Sequence, residues 1–77
     1  MDNKSKYLEI FKETFNVKEI SEDVKYNEIP EWDSIGHMTL MSALEEKFNI
    51  SIETDDIVDF SSVKVGYKIL GKYGVKF

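Results

Sequence analysis

The 77-residue chain contains no cysteine. That excludes disulfide staples, a thiol nucleophile and a zinc-thiolate site. Long apolar runs are missing too: nothing approaches the roughly 18 consecutive apolar residues that a membrane span needs. The opening Met1-Asp2-Asn3-Lys4-Ser5-Lys6 leads into no signal-peptide-like stretch. A cytoplasmic protein with no membrane partner is therefore expected. Internal repeats, low-complexity tracts and domain linkers are absent, so residues 1–77 read as one small domain. Such a chain buries only about 60% of its unfolded surface, which leaves a thin core. With 42% hydrophobic and 32% charged residues it is a globular rather than a disordered composition.

Catalytic and metal chemistry are also poorly served. Histidine occurs once, at position 37, three residues after Ser34. A Ser-His dyad needs an oriented base and an oxyanion hole. The Gly-x-Ser-x-Gly elbow is missing, since Ser34 is flanked by Trp32 and Gly36. His37 is expected to be exposed rather than a ligand or base, and no catalytic residue is assigned. Glu53, Asp55, Asp56 and Asp59 lack the spacing and the glycine of a calcium loop, and no metal site is assigned.

Positive charge is scarce in the middle of the chain. Residues 1–18 hold four lysines against three acids; from Glu19 to Asp59 there are twelve acids against Lys25 and Lys47. After Asp59 the charges are Lys64, Lys68, Lys72 and Lys76. The −10 middle repels phosphate backbones, which argues against nucleic acid as a partner. A basic surface on a protein partner is its natural complement. The lysines at 64, 68 and 72 are read as a solvated stripe on the last helix.

What is present is helical periodicity. A first helix is expected from about Lys4 to Phe15, with Tyr7 or Leu8, Phe11 and Phe15 inward and Asn16 as its stop. Residues 17–33 form a long connection, with Val17, Ile20, Val24, Tyr26, Ile29 and Trp32 pinning it to the core and Pro30 forbidding helix at Ile29. Long loops of this kind are uncommon unless they are functional. A second helix should run from Ser34 to Phe48, ended by Asn49, and Ile50–Glu53 should be an extended linker. Thr54-Asp55-Asp56 starts a short helix with Ile57, Val58 and Phe60 on its apolar side. Ser61 or Ser62 caps a last helix in which Val63, Tyr67, Leu70 and Tyr73 face inward, flanked by Ile69. The fold class is all-α, a small four-helix bundle of three longer helices and one short one.

In the second helix, Leu40, Met41, Leu44 and Phe48 cover the core sector, which pushes Ile35 and Met38 toward solvent beside Ser34. Asp33 is a good N-cap, and Ser34 then stands at the first helical position. Free backbone N–H groups and the positive end of the helix dipole favour an anion attached there.

Asp33-Ser34-Ile35 opening a helix, then Leu40, then Ala43-Leu44-Glu45-Glu46-Lys47-Phe48, resembles the acyl carrier proteins and their peptidyl and aminoacyl relatives. The likeness continues through Ile52, Asp55, Asp56, Phe60 and Ser62-Val63. It implies an acyl-carrier-type bundle in which Ser34, preceded by Asp33, carries a 4′-phosphopantetheine arm from coenzyme A. The arm's thiol would hold acyl or aminoacyl cargo as a thioester. The implied partners are a phosphopantetheinyl transferase, an acyl- or aminoacyl-loading ligase and acyl-transferring enzymes, with the protein a monomeric, free-standing, bacterial-type carrier and not itself an enzyme. Partner contacts are implied on Ile35, Met38 and Ser42. Glu28 and Glu31 before the helix, and Glu45 and Glu46 near its end, supply the charge that steers encounter.

Ile35 stands where leucine is usual. Gly36 and Thr39 stand where housekeeping fatty-acid carriers commonly have acids, and glycine there is also seen in D-alanine-type carriers. Fatty acid, polyketide and aminoacyl or peptidyl cargo all stay open. Cargo in this family can tuck against positions matching Leu40, Leu44, Ile57, Phe60 and Ile69. The bulk of Ile57 and Phe60 favours short or polar cargo. The rival reading is an unmodified helical interaction module.

Overall fold

The computed structural model describes residues 2–77 and contains four helices. These are α1 (Asn3–Phe15), α2 (Ser34–Phe48), the short α3 (Thr54–Asp59) and α4 (Val63–Gly71). Each of the three longer helices is opened by a side-chain cap. Asp2 accepts from the Ser5 amide at 2.8 Å, Asp33 from Gly36 at 2.8 Å and Ser62 from Val65 at 3.0 Å. Asn16 and Asn49 end α1 and α2 in the left-handed region, with φ of 55° and 54°. Both stops fall where the sequence places them, because asparagine tolerates these angles.

The core gathers the inward face of α1 (Tyr7, Ile10, Phe11, Phe15), Leu40, Met41 and Leu44 of α2, and Val63, Ile69 and Leu70 of α4. Trp32, Ile52, Phe60 and Val75 join it from outside the helices. Ile52 belongs to the extended linker, which forms no strand and is tied instead by its amide to the Glu45 carboxylate at 2.8 Å. The approach of α1 to α4 depends on Gly66. A Cβ there would fall on the Tyr7 hydroxyl and the Phe60 ring. The space lets Tyr7 lie fully buried and donate to the Val63 carbonyl at 2.7 Å.

Several expected inward faces need correction. Phe48 is only half-buried: it packs against the edge of the core and also meets the ring of Phe77, at 6.3 Å between centroids. Tyr67 and Tyr73 do face inward, packed against the core without being wholly covered, and Ile69 is core rather than flank. Val58 is 75% exposed. A helix as short as α3 turns one narrow face inward: Asp56 is its buried residue, Ile57 packs against the core beside it, and Phe60 is buried just after the helix.

Candidate functional site

The long connection between α1 and α2 is ordered by pairing rather than by helix. Lys25 and Ser62 form an isolated antiparallel bridge. On either side of it the Tyr26 amide donates to Ser61 O at 2.9 Å and the Val63 amide to Val24 O at 3.0 Å. Asn27, with φ of 66°, then reverses the chain, and its amide reaches Trp32 O at 2.8 Å. The loop is thus stitched to the start of α4 and folded back on itself before it delivers Asp33.

Trp32 anchors this delivery. Its indole is fully buried among Phe11, Phe15 and Tyr26 and stacks on His37, with 6.2 Å between ring centroids and 19° between planes. The indole nitrogen can only donate, and it lies 2.9 Å from His37 Nδ1. His37 Nδ1 is therefore the acceptor, and Nε2 carries the proton that it donates to the Ile57 carbonyl at 2.8 Å. The expectation of an exposed His37 is corrected here: the side chain is buried because both ring nitrogens find partners inside. With both engaged, the histidine is no base for Ser34.

Gly36 also acquires a physical reason. A Cβ at that position would fall on the Glu31 carbonyl oxygen, so the loop can close over the first turn of α2 only if residue 36 is glycine. Its place in the sequence marks close backbone approach rather than merely a missing acid.

Ser34 stands exposed at the first position of α2, its Oγ 3.2 Å from the Tyr26 hydroxyl. Beside it opens a groove of about 370 Å³, lined by Tyr26, Ser34, His37, Met38, Ile57, Val58 and Phe60. The walls are α2 on one side, α3 on the other and the loop at the end. This groove shares Ile57 and Phe60 with the expected cargo positions. Leu40, Leu44 and Ile69 are shut in the core instead. A larger groove of about 430 Å³ lies between α1 and α2, but Glu13, Glu46 and Lys47 help line it and Ser34 does not.

The expected surface residues separate into two sets. Ile35 is 79% exposed and Met38 52% exposed, next to the serine. Ser42 is also exposed, further along α2. Glu28, Glu31 and Glu46 are exposed as well. Glu28 folds back to accept from the Lys25 amide at 3.1 Å, and Glu45 is half-buried through its bond to Ile52. The acids of α3 also diverge. Asp56 is buried and bonded by Lys72 and Tyr73, which makes Lys72 part of a tie rather than of a solvated stripe. Lys72, and after it Tyr73, holds the Asp56 carboxyl below its ordinary value, while Asp56 in turn raises both partners.

The phosphopantetheine attachment site family model matches residues 8–65, most of the chain and the whole of this site. The chain belongs to that family. Neither a curated protein nor a solved structure matches it, so no relative supplies a cargo or a pathway. Members are carrier domains that bear a covalently attached 4′-phosphopantetheine and deal with phosphopantetheinyl transferases and acyl-handling enzymes. An exposed hydroxyl at the mouth of an apolar groove, with a second hydroxyl beside it, suits such an attachment. Among the described residues no helix is long and apolar enough to cross a membrane.

Proposed function

We propose that Ser34 is the attachment residue of a single carrier domain, working in the cytoplasm as a monomer. The observation that carries the reading is the placing of Ser34: exposed, first in a capped helix, and opening onto the groove between α2 and α3. The bound arm supplies a thiol on which acyl or aminoacyl cargo rides as a thioester. The chain's own work is presentation. Asp33 fixes the helix start, the stitched loop keeps the serine outward, and tethering delivers cargo at high local concentration to whichever enzyme docks.

Ile35, Met38 and Ser42 are the proposed contacts on α2 for the transferase, the loading ligase and the acyl-transferring enzymes. The neighbouring exposed Val58 extends the apolar surface onto α3. Glu28, Glu31, Glu45 and Glu46 bracket this neutral strip, so charge steers the approach and apolar contact holds the complex. Incubation with coenzyme A and a promiscuous phosphopantetheinyl transferase should raise the intact mass by one phosphopantetheinyl group, and Ser34→Ala should abolish the shift. An unchanged wild-type mass supports an unmodified interaction module instead.

The cargo is proposed to be short or polar. About 370 Å³ is near the lower end of the ~300–1,000 Å³ typical of small-molecule sites, and the space is open-sided. The interior behind it is closed by Phe60, Leu40 and Leu44, each at most 1% exposed. In a series of acyl chains loaded on the arm, amide NMR shifts should level off after the shortest members and stay at the groove. Shifts spreading to Leu40, Leu44 and Ile69 as the chain lengthens would contradict it.

A further inference from the structure

The tyrosine beside Ser34 is held more firmly than a partly exposed aromatic needs to be. Its amide is bonded to Ser61 O, its neighbour Lys25 bridges to Ser62, and the turn at Asn27 closes onto Trp32 O. The ring stands edge-on to His37, with centroids 5.2 Å apart and planes at 78°, and edge-on to Trp32. Three elements therefore fix where the phenol points, and it points at Ser34 Oγ, 3.2 Å away at the rim of the groove.

While Ser34 is free, either hydroxyl can be the donor. Attachment removes that symmetry. Once Oγ is esterified it has no hydrogen, and the phosphodiester beyond it carries negative charge and acceptor oxygens only. The Tyr26 O–H then has one role left, that of donor, and a hydrogen bond to an anionic acceptor is about twice as strong as one between neutral groups. The phenol sits at the end of the groove, and Met38 and Val58 form its two flanks.

We propose that Tyr26 is a positioning residue for the prosthetic arm: its hydroxyl donates to the phosphodiester on Ser34 and sets the arm's first bonds across the groove toward Met38 and Val58. This rests on Ser34 being the attachment residue, and the two claims fail differently. In the test, wild type and Tyr26→Phe are converted to the holo form with coenzyme A and a transferase, and loading of each is confirmed by intact mass. Phenylalanine keeps the ring and its edge contacts, so the melting curves should coincide. In the wild type the Tyr26 Cζ resonance should move on loading. Nuclear Overhauser contacts should connect the first methyl groups of the arm with Met38 and Val58. In Tyr26→Phe the phosphorus resonance of the diester should shift and those contacts should be lost. A wild type that does not load sinks both claims. Full loading with an unmoved Tyr26 Cζ, or with the same phosphorus shift and contacts in both proteins, overturns the role of Tyr26 alone.

Discussion

The two sides of α3 are held by opposite kinds of chemistry. Toward α2, the Ile57 carbonyl receives the His37 Nε2 proton, and His37 in turn receives the Trp32 indole proton; the first bond is part-buried, the second buried, and neither involves an ion pair. Toward α4, the Asp56 carboxylate is bonded by Lys72 and Tyr73, and the Tyr73 hydroxyl also accepts the Glu53 amide at 2.9 Å. That side is ionic, and the Lys72 side chain is still 61% exposed. A six-residue helix has no independent stability, so its position must come from its attachments. Because α3 is one wall of the groove beside Ser34, these ties also set the shape of the site. The neutral tie lies under the serine and the ionic one away from it, which keeps strong local charge out of the neutral strip around Ile35 and Met38.

Breaking the neutral tie should have the larger effect. His37→Ala leaves the Trp32 indole N–H without a partner, leaves the Ile57 carbonyl only the long contact from the Phe60 amide at 3.4 Å, and opens a void between the loop and α3. A buried unpaired group costs about 1–3 kcal/mol and the lost packing adds to it, so the total should be about 3 kcal/mol. That is a large share of the ~5–15 kcal/mol available to a domain. Urea denaturation followed by circular dichroism measures it, and amide shifts at Ile57 and Val58 should report a displaced α3. A loss within the ~0.5 kcal/mol usual for surface changes would mean that hydrophobic contacts alone place the helix.

How much of this was legible depends on how local the cause is. The caps Asp33 and Ser62, the stops Asn16 and Asn49, and the division of α2 into inward Leu40, Met41, Leu44 and outward Ile35, Met38 all follow from spacing within one or two turns. The Trp32–His37 pair is only five residues apart, yet its meeting depends on the reversal at Asn27, which no helical period predicts. The available signal was chemical: a tryptophan pinned in a core needs an acceptor for its N–H, and the nearest candidate was the single histidine. Asp56 looked like an ordinary acid at a helix start because Lys72 and Tyr73 lie a whole helix further on. Phe48 and Val58 failed for a geometric reason. Apolar character fixes a residue's preference, but Phe48 at the end of α2 is only partly covered and Val58 on the outer side of α3 is left open. Gly36 read as a departure from an acidic pattern, when the constraint was the Glu31 carbonyl pressed against it. At the candidate site, the start of α2 at Ser34 was readable; Tyr26 was visible only as an anchor of the loop.

The ionic tie should give the smaller effect, recognisable by its dependence on pH. The ordinary carboxyl value for Asp56 is 3.8, and Lys72 first, then Tyr73, lowers it in the folded protein. Folding therefore favours the carboxylate, and the unfolded chain takes up the proton more readily. The contribution to stability is present in full above pH 3.8 and is lost as pH falls through the lower folded value. Asp2 behaves in the same sense, since the Ser5 amide holds its carboxyl down as well. Asp56→Asn should thus lower stability at neutral pH by less than His37→Ala does, because Lys72 remains largely in solvent where the attraction is screened. The same change should flatten the loss of stability below pH 3.8 without abolishing it, with Asp2 accounting for part of what remains. His37→Ala should lower the curve most at neutral pH. Denaturant midpoints measured from pH 7 down to pH 2 for the three proteins separate the cases. If Asp56→Asn follows the wild-type acid limb in parallel, the ionic side contributes nothing to holding α3, and the wall of the groove depends on the neutral side alone.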